Sequence, residues 1–194
     1  MARTILCLCL CNLWIFVLAA IQPTDTTVFR DKIKKYTEIQ YAGNAGLFSV
    51  HGGISILQTH LNFSLGYGYL PKAVNGVEVH SVILKTKYQF NKGVFLRKAN
   101  WYTGFSAICG FTSNTFICLP SYFPKGYYAP NAIHAAPFLG CRYPFPFYKP
   151  IWAKTAHTFV ELGTLDTYFW YWLNNNHLQF WDICNLSGGL CFNF

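Results

Sequence analysis

The chain is predicted to fold as an all-β, antiparallel transmembrane β-barrel of about eight strands, and three observations carry that expectation. The residues from Leu186 to Phe194 alternate. Leu186, Leu190, Phe192 and Phe194 share one parity, and Ser187, Gly189, Cys191 and Asn193 share the other. Written as a strand, this gives one greasy face and one small or polar face, with an aromatic where a barrel places its closing residue. The composition is 53% hydrophobic and 19% aromatic but only 11% charged. A soluble domain carries about a quarter charged residues, so this chain has too few charges to coat a water-facing surface. After residue 20 no stretch is long and apolar enough for a spanning helix; the apolar residues are spread in alternation, the pattern of a membrane barrel.

The N-terminal segment reads as a leader. Arg3 supplies a positive charge, and Ile5 to Ala20 carries no charge and almost no polar residue except Asn12. That run is short for a transmembrane helix, which needs about 20 residues. It fits a secretory signal peptide over residues 1–20 with Ala19-Ala20 at the cleavage site; a retained N-terminal anchor is the alternative. Residues 21–45, most charged between 24 and 40, are expected to form a periplasmic lead-in, and residues 46–194 the barrel, a single domain by length.

Strand candidates then follow one another. Between Gly46 and Ile56, Phe48, Val50, Ile54 and Ile56 share a face opposite Ser49, His51 and Ser55. The cleanest segment sets Leu61, Phe63, Leu65, Tyr67 and Tyr69 against His60, Asn62, Ser64, Gly66 and Gly68. A helix would scatter those apolar residues around its circumference, whereas small residues opposite them suit a narrow barrel interior. The first set is expected to face lipid and the second, from Asn62 to Gly68, the lumen. Pro71 ends that strand because proline cannot donate to a ladder, and Asn75-Gly76 signals a turn. From Val77 to Phe90 the alternation resumes with a phase slip near His80-Ser81, which predicts a β-bulge. Trp101, Phe105 and Phe111 alternate with Tyr102, Gly104, Ser106 and Gly110. Residues 112–131, with three prolines and many aromatics, read as an ordered loop. Ala132 to Tyr143 is a weaker strand interrupted by Pro137, and Ala153 to Gly163 sets Val160 and Leu162 against Phe159 and Glu161.

Residues 164–174 read as a short amphipathic helix at the membrane interface or against the barrel. Leu165, Tyr168, Phe169 and Trp172 form one stripe, with Thr164 as N-cap, Asp166 in the first turn and Asn174-Asn175-Asn176 as the stop. A strand that is apolar on both faces is the alternative. Aromatic side chains settle at the membrane boundary. Asn44 and Asp166 are read as turn or cap residues.

From Tyr41-Ala42-Gly43-Asn44-Ala45-Gly46 the chain resembles a family of small, functionally uncharacterised bacterial outer-membrane β-barrel proteins. The likeness continues through Leu65-Gly66-Tyr67-Gly68-Tyr69-Leu70-Pro71-Lys72, His80-Ser81, Tyr127-Tyr128 and Glu161-Leu162-Gly163-Thr164-Leu165-Asp166, and closes with Phe194. It spans most of the chain after the leader, though each motif is short. It implies an exported barrel of about eight strands in the bacterial outer membrane and supplies no reaction. The cysteine-rich leader and the five later cysteines depart from the family's pattern.

The chemistry that the sequence offers is sparse. Cys109, Cys118, Cys141, Cys184 and Cys191 follow the leader, and five cannot all pair within one chain. Cys109 and Cys118 either close a small loop in an oxidising compartment or serve, like the rest, as small apolar fillers. No spaced set of His and Cys suggests a metal site, and no motif implies a cofactor. Gly66-Tyr67-Gly68 lies inside a strand, which argues against a phosphate loop. The formal net charge of +8 comes from short segments such as Lys32-Ile33-Lys34-Lys35, Lys85-Thr86-Lys87 and Arg97-Lys98. On an exported barrel it points to solvated charge or to anionic membrane lipid, lipopolysaccharide included, and not to nucleic acid. His157 and Glu161 share a parity and with Ser81 or His80 are the candidates for a hydrolytic set. No G-x-S-x-G elbow accompanies them, and a buried carboxylate paired with a lumen Lys or Arg is the commoner arrangement. The expected role is therefore structural or surface-interacting, with no catalytic residue assigned. A lipid-modifying enzyme of the lipid A deacylase or acyltransferase type is the first alternative, and a secreted soluble β protein the second.

Overall fold

The computed structural model describes residues 33–56, 60–90, 99–112, 132–144, 153–175 and 177–194. The leader, most of the charged segment up to residue 32, residues 113–131, Cys118 and Asn176 lie outside them. The strands are β1 (Lys34–Tyr41), β2 (Phe48–Ile56), β3 (Leu61–Leu70), β4 (Val79–Gln89), β5 (Asn100–Phe111), β6 (Ile133–Pro144), β7 (Thr155–Gly163) and β8 (Asn185–Asn193). Each pairs antiparallel with the next, and β1 pairs with β8 to close the barrel at eight strands. Among the described residues no helix is long and apolar enough to cross a membrane, which says nothing of strands.

The barrel begins at Lys34, inside the segment expected to be a lead-in. β1 was hidden by its charges: Tyr36, Glu38 and Gln40 point inward and are buried, whereas Ile39 and Tyr41 are exposed on the outer wall. Lysine and glutamate in a row read as a solvated segment until the lumen supplies their partners.

β3 has the facing that its alternation predicts. Asn62, Ser64, Gly66 and Gly68 are buried in the lumen, and Leu61, Phe63, Leu65, Tyr67 and Tyr69 point outward. The same holds around the barrel, where every strand exposes an apolar residue near its middle: Ile39, Val50, Leu65, Leu84, Phe105, Leu139, Val160 and Leu190.

No bulge interrupts β4. Its register is continuous with β3 from Leu61↔Tyr88 to Leu70↔Val79, and with β5 from His80↔Phe111 to Gln89↔Tyr102. The apparent phase slip arises because Val77 lies before the strand and Val79, at its start, has the inward parity of Ser81 and Ile83, opposite to Val82 and Leu84. Pro137 does not break β6 either, since Phe105↔Pro137 lies within unbroken pairing to β5. Its carbonyl accepts from Thr164 N at 3.2 Å, just past the last β6–β7 pair, Phe138↔Gly163. Carbonyl and amide positions of one extended residue point the same way, so the missing N–H faces the end of a ladder where no donor is required.

Two connections shape the end of the barrel away from β1's start and β8's finish, here the loop end. Residues 42–47 turn through Ala42, Gly43 and Gly46, all at positive φ, and fold into the mouth. Ala45 is buried there with Ile83, Ile108 and Ala136, and Leu165 from the β7–β8 connection packs on them. Close approach explains the Gly-x-Gly of β3. A Cβ on Gly68 would overlap the Ala45 carbonyl, and one on Gly66 would overlap the His51 ring. At the same end Pro71 starts the single turn α1 (Lys72–Asn75), which Gly76 closes in the left-handed conformation at φ 71°, as the Asn-Gly pair predicts.

Helix α2 (Asp166–Asn174) lies where the sequence places it, with one change of cap. Leu165 occupies the N-cap and makes no side-chain cap bond; the Thr164 hydroxyl donates to the Leu165 carbonyl at 3.4 Å and caps no helix N–H. Asp166 is the anchor: its carboxylate accepts from Thr167 N at 2.7 Å and Ala135 N at 3.2 Å, and lies 3.2 Å from His134 Nδ1. Leu165, Phe169 and Trp172 form the half-buried face, whereas Tyr168 turns outward with Trp170 and Tyr171. A one-turn 3₁₀ helix at Phe180–Ile183, with Gln179 and Asp182 bonded reciprocally, leads into β8.

Candidate functional site

The lumen is the one chemically dense region among the described residues. Because side chains alternate along each strand, five ionisable residues from four strands converge on the barrel axis: Glu38 of β1, Lys85 and Lys87 of β4, Arg142 of β6 and Glu161 of β7. All are buried, Glu38 and Lys87 to 0% and 1% exposure, so their partners decide whether they can be tolerated.

Those partners are close. Lys87 Nζ donates to both Glu38 oxygens at 2.7 and 2.8 Å and lies 3.1 Å from Glu161 Oε1. Arg142 Nη2 donates to Glu38 Oε1 at 2.9 Å. Lys85 Nζ reaches Glu161 Oε2 at 2.5 Å and Gln40 Oε1 at 2.8 Å, and Tyr102 OH donates to Glu161 Oε1 at 2.9 Å. The cations also lie over aromatic faces. Lys85 sits 4.9 Å from the Phe138 ring centre, Lys87 5.0 Å from Tyr102 and Arg142 5.8 Å from Tyr102. Lys87 bridges the two carboxylates; without it the set divides into Glu38–Arg142 and Glu161–Lys85.

Toward the loop end, a cavity of about 30 Å³ remains beneath residues 43–45, bordered by Gln40, His51, Lys85 and Glu161. That is room for about two water molecules. Above it lies the buried apolar cluster around Ala45, so the described lumen is filled from layer to layer.

The sequence-derived candidates do not assemble. His157 and Glu161 do share the inward parity, but Phe159 stands between them on the same face. Glu161 is committed to Lys85, Lys87 and Tyr102, and His157 Nε2 lies 3.3 Å from Thr155 Oγ1. Ser81 Oγ donates to the Ala45 carbonyl at 2.8 Å, which locks the mouth loop. His80 points outward, 2.5 Å from Tyr67 OH and 3.5 Å from Glu78. Ser81 is at the loop end of β4 and His157 at the terminal end of β7, so no nucleophile–base pair forms. No group of three metal-binding side chains occurs among the described residues. Cys109, Cys141, Cys184 and Cys191 are free thiols; the partner considered for Cys109, Cys118, lies outside the described residues. The lumen pairing of Glu161 with lysine is the arrangement weighed against catalysis from the sequence. Lys85, Lys87, Arg142 and Glu38 went unread as its members, although the first two share the parity of Ser81 and oppose Leu84 and Tyr88.

Fold and lumen together define a closed, side-chain-filled eight-stranded β-barrel with an apolar outer wall and a charged interior. No protein-family model matches the chain, and no curated protein matches it.

Proposed function

We propose that this is a small outer-membrane β-barrel protein of bacterial type, exported through a cleaved signal peptide, with a structural or surface-interacting role and no catalytic one. The observation that carries the reading is the inversion of polarity. Charges are collected in the lumen, and an exposed apolar residue from each of the eight strands rings the outside. A water-soluble barrel is stable with the opposite arrangement, whereas a lipid-facing wall requires this one. Strands of 8 to 12 residues match the roughly 9–11 that cross a bilayer when tilted. The resemblance to small outer-membrane barrels agrees with this reading. In it, the end where β1 starts and β8 finishes faces the periplasm, and the two longest connections, 112–132 and 164–184, face outward.

The test is partition and heat-modifiable migration. The protein is expected to remain with membranes, to need detergent for extraction, and to migrate differently before and after boiling. Recovery in the aqueous phase without detergent overturns the proposal in favour of a secreted soluble β protein. Lipid modification is tested separately. The lipid A acyl pattern is expected to be unchanged by His157→Ala, by Glu161→Gln and by deletion of the gene; a change in any of them supports the enzyme.

A further inference from the structure

We infer that the outer wall of the barrel carries a binding groove for one acyl chain of an anionic phospholipid, whose headgroup is held by Lys35 at the terminal end. The inference rests on the membrane reading above and adds a particular site to it. The outward side of β1 to β4 holds a shallow, open groove of about 580 Å³, which can take a chain along one side while the other stays against bulk lipid. Its origin is one missing side chain. Gly52 points outward in a row that runs Thr37, Gly52, Leu65, Leu84 across four strands, and a Cβ built on it meets nothing within 4 Å. Ile54, Phe63, Leu65 and Leu84 wall the notch, and Ile54, Leu65 and Leu84 are 41–61% exposed. A glycine here does not serve the lumen, as Gly66 and Gly68 do; it opens the outer surface.

Charge supplies the second observation. Lys35 lines the same groove one outward position toward the terminal end from Thr37, and it pairs with Ile54 in register. Among the described residues, the exposed charged side chains at that end are Lys34, Lys35 and Lys154, whereas the exposed acids, Glu78, Asp166 and Asp182, all lie at the loop end. A chain seated over Gly52 therefore has its apolar length against Leu65 and Leu84 and its phosphate beside Lys35. Lysine ammonium donates to phosphate oxygens and is favoured by an anionic headgroup, so the occupant is an anionic lipid in preference to a zwitterionic one.

The experiment uses the full chain, folded in detergent and offered phosphatidylglycerol or phosphatidylcholine of identical acyl composition, with retained lipid counted by native mass spectrometry. The wild type is expected to retain phosphatidylglycerol preferentially. Lys35→Gln should lower that retention about fivefold, the worth of one basic residue at an anionic lipid surface. Gly52→Leu, which fills open space, should lower retention of both lipids severalfold while heat-modifiable migration stays intact. Equal retention of the two lipids by the wild type overturns the groove, as does retention that Lys35→Gln leaves unchanged. Failure of the wild type to enter bilayers of either lipid overturns the membrane reading instead, so the two failures are distinguishable.

Discussion

Glu38 is buried by a fold that gives it two cations, and the lumen as described holds three cations, Lys85, Lys87 and Arg142, against two carboxylates, Glu38 and Glu161. That surplus makes the members unequal. Removing Glu38 with Glu38→Gln leaves Lys87 and Arg142 facing each other in a buried site, a change that costs about 3–5 kcal/mol when one partner of a buried pair is lost. Lys87→Met leaves Glu38 with Arg142 at 2.9 Å and Glu161 with Lys85 at 2.5 Å, two balanced pairs, and so should cost clearly less. Urea titrations of the two refolded variants check the order; a Lys87→Met variant as damaged as Glu38→Gln would show that Lys87 is more than a bridge. The glycines give a second contrast. Gly68→Ala must displace the Ala45 backbone, an overpacking worth about 1–3 kcal/mol, whereas Gly52→Ala meets open space and should change the unfolding midpoint little. Such contacts were not legible beforehand. Parity tells which way Gly68 faces, but only the folded loop 42–47 reveals what approaches it.

Single strands were legible where one face is apolar and the other small, as in β3 and β8, because a period of two leaves no other regular structure consistent with it. β1 was harder because its inward face carries Glu38 beside flanking lysines, and a sequence cannot distinguish a charge in a sealed lumen from a charge in water; at β4 the bulge was misread because Val77 precedes the strand and Val79 at its start takes the inward parity. Pro137 misled in the opposite direction, since its cost depends on whether a neighbouring ladder reaches it. For β3 the outward facing gives a direct prediction. Leu65→Arg places a charge near mid-strand on the outer wall and should destabilise the barrel in bilayers by roughly 2–4 kcal/mol. Leu65→Ala, which keeps the wall apolar, should cost much less. Refolding titrations into lipid vesicles decide it; equal costs for the two would mean that Leu65 does not face hydrocarbon. The stripe on α2 was legible except for Tyr168. The exposed aromatics of the β7–β8 connection, Trp170, Tyr171, Phe180 and Trp181, lie at the loop end, as interfacial aromatics do.

Eight strands enclose only enough space for side chains, and here the described lumen is filled by the ion network, the rings over it and the loop cluster at the mouth. Planar-bilayer recordings should therefore show no steady conductance of porin size; a persistent large channel from the wild type would contradict the packed interior. The seam where β1 meets β8 has a further consequence, one of timing. Tyr36 pairs with Asn193 and Tyr41 with Gly188, so the barrel's first and last strands become neighbours only when nearly the whole described chain has been made. Contacts of such long sequence separation form late and slowly, and until they form both strands remain unpaired edges open to other chains. Closure is thus a property of the whole ring of strands, and a variant truncated before Asn185 is expected to leave β1 and β7 as two unpaired edges.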